Sequence, residues 1–466
     1  MNEELCYQTI ASLAPRIRSK DLSPVELTEA YLERIDDQDP KINCFVTVTR
    51  ELALSQARAA EEEIRTGSYR GPLHGIPFAV KDLLSTKDIR TTWGSHVFSD
   101  QVPDHDAAVV ERLREAGAVL LGKLSMSELA GGPPGGTFNG PVHNPWKLDH
   151  WVHGSSTGPG ACVASAFSTF AIGSETTASI LGPSTACGVT GLRPTYGRVS
   201  RYGAMPLSWT MDKLGPMARG VADCAVVFSA IHGADSRDPT SRSEPFDFSA
   251  GRDVAGRRIG LVTTDFEKIK EMGADGPYDT AFGVLRDRGM LVEEVNLPQF
   301  PYREVSNFVW QVEASSVFEP YARSGALESG LVSKAKWFGW KAAMLIPGSD
   351  YMKVLRMRQA MIQATRRLYD RYDALIAPLN PIGARPIEPA MERNIEGRPR
   401  YRSDLLTLGN LAGLPGVAVP CGFTDTGLPI GLMIVGRPMS DDRILEVARS
   451  YQQATRWHLE RPSFRE

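Results

Sequence analysis

Short apolar runs alternate with helical patterns along this chain, and that alternation limits the folds it can adopt. Ile76–Val80 and Ala118–Leu121 are apolar runs of strand length, and 109–114 between them has helical spacing. The same order of strand, helix and strand returns further along the chain, at 259–262, 279–287 and 290–295. Because strands that alternate with helices form sheets covered by helices, the pattern predicts an α/β fold.

The C-terminal part of the pattern predicts antiparallel strands as well. Two apolar runs, 416–419 and 430–435, flank the turn sequence Asp425-Thr426-Gly427, as in a β-hairpin. The chain is long enough for a large core. We therefore expect one α/β/α domain over residues 1–466 with a mixed central sheet. Within this domain, we expect residues of about 71–200 to form the core and residues of about 300–370 to form a variable helical cover.

Composition and charge restrict the partners we expect. The net charge is −3, and no apolar run reaches the roughly 18 residues of a membrane span. This balance favours neither nucleic acid nor a membrane surface. The first residues are acidic and lack the apolar stretch typical of a signal peptide, and the six cysteines are scattered without CxxC pairs, so we expect a cytoplasmic protein with reduced thiols.

Three segments carry candidate chemistry. Lys81 ends an apolar strand, where burial lowers the pKa of an amine and lets it act as a base. Ser155 lies in a loop of small residues, and Ser179 follows a second such turn. Backbone N–H groups in a turn of this kind can face an oxyanion. Each feature alone is more typical of ordinary structure.

Together the segments resemble the amidase signature family. The matching sequences are Gly75-Ile76-Pro77-Phe78-Ala79-Val80-Lys81-Asp82, Gly154-Ser155-Ser156-Thr157-Gly158, Gly173-Ser174-Glu175-Thr176-Thr177-Ala178-Ser179-Ile180 and the block 187–200. Asn410–Pro415 and Gly427–Leu432 resemble the family's C-terminal blocks. The likeness covers about residues 20 to 460 and is loosest over 300–370.

The resemblance implies a Ser–Ser–Lys triad. Ser179 is the expected nucleophile, Ser155 the bridging serine after a cis peptide bond, and Lys81 the base. The oxyanion hole is expected from the N–H groups of Thr176, Thr177, Ala178 and Ser179. Ser156 and Thr176 occupy positions of supporting hydrogen bonds. No cofactor or metal is expected; His143, His150 and His153 lack the spacing of a metal site.

The chain departs from the family pattern in places that bear on substrate choice. Thr177-Ala178 replace two glycines, His153 replaces another, and Leu181 stands where arginine is common. Because arginine binds carboxylates, its loss argues against small carboxylated amides. The segment 308–344 is rich in aromatic residues.

We therefore expect a small-molecule substrate that is neutral and bulky, such as an aryl amide, an anilide or a carbamate (urethane). This activity resembles that of aryl acylamidases and urethanases. The candidate pocket residues are His153, Leu181, Gly132, Trp310 and Trp337. The aromatic segment is equally consistent with core packing, and a homodimer is expected only because homodimers are common.

Two other functions fit the same motifs. The first is that of the glutamine amidotransferase subunit, the A-type subunit, in a complex that amidates mischarged tRNA. The second is that of a family member that has lost catalysis and acts as a binding protein. An intact Lys81, Ser155 and Ser179 argue against the second, because an idle buried lysine is costly.

Overall fold

A mixed sheet of eleven strands forms the centre of the protein. The computed structural model describes residues 3–131, 136–330, 334–387 and 401–464. Its strands are β1 (Phe45–Val48), β2 (Pro77–Lys81), β3 (Val119–Leu124), β4 (His143–Asn144), β5 (Lys147–Trp151), β6 (Phe170–Glu175), β7 (Thr190–Arg193), β8 (Lys213–Ala218), β9 (Arg258–Val262), β10 (Leu291–Val295), β11 (Ala374–Leu379), β12 (Gly416–Phe423) and β13 (Pro429–Gly436).

The strand order combines distant parts of the chain. It runs β1-β3-β2-β6-β8-β7-β12-β13-β11-β9-β10, with β4 and β5 in a separate ribbon. β2 pairs in parallel with β3 and β6, whereas β12 pairs antiparallel with β7 and β13. The predicted mixed sheet and C-terminal hairpin are therefore confirmed.

Helices surround the sheet. They are α1 (Glu3–Cys6), α2 (Ile10–Ser19), α3 (Pro24–Ile42), α4 (Arg50–Arg65), α5 (Ala108–Glu115), α6 (Thr157–Ala164), α7 (Leu181–Ala186), α8 (Val221–Ile231), α9 (Thr263–Glu271), α10 (Gly276–Asp287), α11 (Tyr302–Arg323), α12 (Ala326–Gly330), α13 (Lys334–Ala343), α14 (Gly348–Arg366), α15 (Asp404–Leu411) and α16 (Asp441–Ala454). Every residue of β2 and β3 is buried, which explains the apolar runs that precede Lys81 and Lys123 in these strands.

Local sequence sets several element boundaries. The Ser23 hydroxyl accepts hydrogen bonds from the N–H groups of Val25 and Glu26 and so caps α3, with Pro24 at its first position. The helix α14 ends at Arg366, where the chain tightens into a 3₁₀ turn at Arg367–Asp370. All six cysteines are buried, unbridged thiols.

Part of the aromatic segment packs in the core, whereas Phe338 is 65% exposed. The rings of Phe318 on α11 and Trp340 on α13 stack with their centroids 4.7 Å apart. Trp337 is only 4% exposed. Core packing thus accounts for Phe318, Trp337 and Trp340.

Candidate active site

Lys81 lies at the end of β2 with its amine directed at three hydroxyl groups. Its Nζ donates to Oγ of Ser155 at 2.6 Å, of Ser174 at 2.9 Å and of Ser156 at 3.1 Å. The side chain is fully buried. Burial lowers the pKa of Lys81 well below its usual value, although Asp212 and Glu175 act in the opposite direction. The arrangement suits an amine that accepts a proton from a serine.

Ser155 lies between β5 and α6, directly after a cis peptide bond to Gly154. This is the bond that the resemblance implied. Ser156 links this loop to Ser179, because its N–H group donates to the carbonyl oxygen of Ser179 at 3.3 Å. Its hydroxyl also donates to the carbonyl oxygen of Ser174 at 3.2 Å. Ser156 therefore holds the loop and the turn together.

Ser179 ends the turn that connects β6 to α7. It is 8% exposed, compared with 3% for Ser155 and 0% for Lys81, so it is the most accessible of the three. Thr177 and Ala178 both have negative φ. The turn therefore accommodates the two side chains that replace glycines without the left-handed conformation that glycine favours.

Glu175 holds the C-terminal end of the 176–179 turn in place. Its Oε2 accepts hydrogen bonds from the N–H groups of Ile180 at 2.8 Å and Leu181 at 2.9 Å. Its Oε1 accepts from Arg193 and from Asn410, each at 3.0 Å. Burial acts to raise the pKa of Glu175, but Arg193, Lys213 and these N–H donors lower it overall. Glu175 is therefore an ionised anchor.

Asn410 on α15 reaches the same turn from a distant part of the sequence. Its Nδ2 donates to the carbonyl oxygen of Thr177 at 2.8 Å, and its Oδ1 accepts from Lys213 at 2.7 Å. Thr176 is held separately, since its hydroxyl donates to Asp212 at 2.6 Å. Sequence reasoning singled out neither Asn410 nor Asp212 as a site residue. Asn410 begins a block that resembles the family, a signal that could have identified it.

Ser174 is a further residue that sequence reasoning missed. It lies one position before Glu175 in the segment quoted for the resemblance, and its hydroxyl is the third group on the Lys81 amine. Ser174 lies two residues before the turn, on β6, which pairs in parallel with β2. Its place in the quoted segment is a signal that could have identified it.

His153 takes up the conformation that glycine would adopt without strain. Its φ is +64°. The imidazole stacks on Trp151 with ring centroids 4.9 Å apart. Burial, and then the charge of Arg385, lower the pKa of His153 to about 4. The ring is therefore neutral at neutral pH.

Two cavities reach opposite parts of the 176–179 turn. One, of about 160 Å³, is lined by Ser174, Thr176 and Asp212, among others. The other, of about 320 Å³, is lined by residues that include His153, Thr177 and Ala178. Both flank the backbone that carries Ser179.

The other predicted pocket residues do not gather around these cavities. Leu181 is completely buried, and Trp310 is half-buried against the core with its indole N–H directed at Asn307. Leu181, Trp310 and Trp337 line neither cavity. Gly132 lies outside the described residues. Contact of these four residues with substrate stays a prediction.

Comparisons with known proteins find likeness over nearly the whole chain. The sequence model named Amidase matches residues 26–445. The A subunit of glutamyl-tRNA(Gln) amidotransferase from Methylococcus capsulatus is 38% identical over 98% of this chain and 99% of its own length. The peptide amidase of Stenotrophomonas maltophilia superposes with a TM-score of 0.82 at 32% identity, covering 96% of this chain and 97% of its own.

A solved structure of an amidotransferase A subunit is also similar to this chain. The A subunit of glutamyl-tRNA(Gln) amidotransferase from Thermotoga maritima superposes with a TM-score of 0.77 at 26% identity, over 97% of this chain and 95% of its own. Relatives named for a tRNA substrate contradict our expectation that nucleic acid is excluded as a partner. That expectation was wrong because it rested on net charge, which does not report on a complex assembled from several subunits.

Within the described residues, the helices are too short or too polar to cross a membrane.

Proposed function

Because the chain belongs to the amidase family, whose members are hydrolases that act on carbon–nitrogen bonds, we propose that it hydrolyses a carboxamide through an acyl-enzyme on Ser179. The observation that supports this most directly is the buried Lys81 amine, 2.6 Å from the Ser155 hydroxyl and next to the loop that binds the backbone of Ser179. A desolvated amine beside a chain of hydroxyls is the arrangement that proton relay to a serine nucleophile requires.

In the proposed mechanism the neutral Lys81 takes a proton from Ser155 as Ser155 takes one from Ser179. The Ser179 oxygen then forms a bond to the amide carbonyl carbon. The relay returns the proton to the leaving nitrogen, and the carbon–nitrogen bond breaks. Water, deprotonated by the same relay, cleaves the ester of the acyl-enzyme and regenerates Ser179.

The oxyanion is assigned to N–H groups of Thr176, Thr177, Ala178 and Ser179. The N–H groups of Ile180 and Leu181 already donate to Glu175 and so are occupied. Donors held in place before the reaction stabilise the developing negative charge without reorganisation. The hydrogen bonds that Asn410 makes to Glu175 and to the carbonyl oxygen of Thr177 hold the turn, and therefore these donors, in place.

The reaction is tested by hydrolysis of a simple amide such as pentanamide, with a nitrophenyl carbamate as a second probe. We expect Ser179→Ala, Ser155→Ala and Lys81→Ala each to lower kcat by at least about a thousandfold, as expected for residues that act as a unit. Ser55→Ala, an exposed serine on α4, is the matched control with unchanged rate.

Covalent labelling tests the nucleophile separately. A fluorophosphonate should add one group to the native chain and none to Ser179→Ala. If neither amide nor carbamate reacts and the native chain is unlabelled, the protein is a binding protein without catalysis.

A second candidate is a glutamine-hydrolysing subunit of a tRNA-amidating complex. The full-length identity of 38% to an amidotransferase protein of that kind favours it. Here the same Ser179 chemistry would release ammonia from glutamine. The test is glutaminase activity of the isolated chain and of the chain mixed with the remaining subunits of such a complex and glutamyl-tRNA. No glutaminase activity under either condition contradicts this candidate.

The preference for neutral aryl amides or carbamates stays a prediction with reduced support. It rested on Leu181 and on the aromatic segment, and Leu181, Trp337 and Trp340 are core residues. Comparing turnover of a nitroanilide with that of pentanamide measures this preference directly.

A further inference from the structure

Trp209 is a large aromatic residue that lies exposed in the wall of the smaller cavity. It is 56% exposed and is not part of the aromatic segment 308–344. Ser174 and Thr176 line the same cavity of about 160 Å³, and Ser174 also accepts the hydrogen bond from Lys81. Aromatic side chains beside reactive groups are typical of the walls of ligand pockets. The indole is therefore placed to contact a substrate.

The position of the indole is fixed by its own backbone and by one neighbouring side chain. The carbonyl oxygen of Trp209 accepts hydrogen bonds from the Tyr196 hydroxyl at 2.8 Å and from Arg201 at 2.6 Å. The guanidinium carbon of Arg201 also lies 5.1 Å from the centroid of the indole ring. An aromatic side chain that is ordered before binding loses little conformational entropy when a ligand contacts it.

The helical cover holds the residues on both sides of Trp209. Glu313 on α11 accepts hydrogen bonds from the Ser208 hydroxyl, from the Thr210 N–H group at 3.1 Å and from the Thr210 hydroxyl at 2.8 Å. Tyr351 on α14 donates to Glu313 at 2.6 Å. The cover therefore determines where this loop lies.

Asp212 connects the same loop to the turn that carries Ser179. It accepts hydrogen bonds from the N–H groups of Leu207 at 2.7 Å and Ser208 at 2.8 Å. It also accepts the hydrogen bond from the Thr176 hydroxyl at 2.6 Å. Since these bonds tie the loop to the turn, the indole keeps a set position relative to the proposed oxyanion donors.

The rest of the wall suits a neutral group. Its apolar side chains include Leu83, Met205, Leu207 and Leu214. Two arginines in the wall are already paired with carboxylates: Arg201 with Asp238 at 3.4 Å and Arg237 with Glu111 at 2.6 Å. Because these charges are compensated, apolar contact is the main interaction that the cavity offers to a ligand.

We propose that this cavity binds the acyl group of the substrate and that Trp209 selects an aromatic acyl group, so that the preferred substrate is a neutral arylalkanoic amide such as phenylacetamide. This inference rests on the proposed amide hydrolysis and deepens it. An apolar cavity of about 150 Å³ binds benzene. The cavity here has about 160 Å³ and so accommodates a phenyl ring. Contact between the two rings adds to the gain from apolar burial.

The same wall disfavours glutamine. Its ammonium and carboxylate groups would lose hydration in the cavity and would need partners of opposite charge there. Arg201, Arg237 and Asp212 already have partners within the described residues. Phenylacetamide is therefore expected to be a better substrate than glutamine.

The experiment compares kcat/KM for phenylacetamide, acetamide and glutamine with the full-length protein. Phenylacetamide and acetamide both release ammonia and differ by the phenyl ring, so their ratio measures the contribution of that ring. We expect phenylacetamide to exceed each of the others by at least about tenfold, as burial of apolar surface of this size predicts. Trp209→Ala should lower the ratio of phenylacetamide to acetamide by about tenfold, and Trp209→Phe should retain most of it. Using the ratio removes any general loss of folded enzyme.

Leu291→Ala provides the matched control. Leu291 is 51% exposed on β10, at the far edge of the sheet, and lines neither cavity. Its replacement should leave the ratio unchanged. The proposed acyl site is overturned by a ratio near one in the native enzyme, by glutamine as the better substrate, or by a ratio that Trp209→Ala does not alter. Equal losses in Trp209→Ala and Trp209→Phe overturn the aromatic selection.

Binding of phenylacetamide to Ser179→Ala, measured by ligand-observed nuclear magnetic resonance, separates this inference from the proposed reaction. If no amide is hydrolysed yet phenylacetamide binds and adding Trp209→Ala abolishes the binding, amide hydrolysis fails and the aromatic site stands. If amides are hydrolysed without preference and phenylacetamide binds no better than acetamide, the aromatic site fails and the proposed reaction stands.

Discussion

Lys81 should make the proposed reaction slower as the pH decreases. Its folded-state pKa is well below the usual value because the amine is buried. Above that pKa the amine is neutral and can accept the Ser155 proton; below it the ammonium cannot. We expect kcat/KM to fall tenfold per pH unit as pH decreases through the pKa of Lys81. A pH profile with pentanamide measures this, and a profile that stays flat until the protein unfolds in acid contradicts it.

Ser174 should affect the pH at which kcat/KM begins to fall on acidification, which is the acid limb of the pH profile. Its Oγ accepts a hydrogen bond from the Lys81 amine, a contact that favours the ammonium form. Ser174→Ala removes the acceptor, so the pKa of Lys81 should decrease and the acid limb should move to lower pH. Profiles of the variant and the native enzyme measure the shift.

Ser165→Ala is the matched control for Ser174→Ala. Ser165 is fully buried, and its Oγ makes no hydrogen bond within the described part of the chain. Its removal should leave the profile in place. An acid limb that does not move, or that moves to higher pH in Ser174→Ala, shows that the hydroxyl does not stabilise the ammonium.

At the scale of elements, α15 supports the turn after β6 through one side chain. Asn410→Ala leaves Lys213 without its Oδ1 acceptor and removes donors to Thr177 and Glu175. We expect kcat to fall about tenfold to a hundredfold with KM changed much less, since misplacing reacting groups acts on the rate. Steady-state kinetics with pentanamide measures the two separately.

The same variant should lose stability. Leaving buried polar groups unsatisfied costs about 1–3 kcal/mol, so the urea midpoint should decrease. Asn296→Ala, at an exposed position, is the control and should change neither kinetics nor midpoint. If Asn410→Ala loses stability but keeps its native kcat, α15 has only a structural role and does not position the turn.

Elements differ in how far the sequence could reveal them. β2 was predictable because a continuous apolar run ending in Lys81 is typical of a strand buried on both faces. The contact of Asn410 with Thr177 was not, since it joins residues 233 positions apart through packing of α15. Leu181 and Trp337 show a second limit: apolar character predicts burial equally well in a core and in a pocket wall.

At the scale of the whole molecule, the sheet order joins the two ends of the sequence. β12 and β13, from the C-terminal part, lie between β7 and β11. Glu175 on β6 is ion-paired with Arg193 on β7 and bonded to Asn410 on α15. The candidate site is therefore completed only when the last sixty or so residues pack against the N-terminal core.

This interleaving leads to our last prediction, that residues 1–466 form one domain and unfold together. In urea, tryptophan fluorescence and far-UV circular dichroism of the full chain should show transitions with the same midpoint. A chain truncated after residue 400 should lack a cooperative transition, because β7 loses the neighbour that covers its edge and Glu175 loses Asn410. Separate midpoints for the two probes, or a truncated chain that still unfolds cooperatively, would show that the N-terminal core is an independent domain to which the C-terminal strands are added.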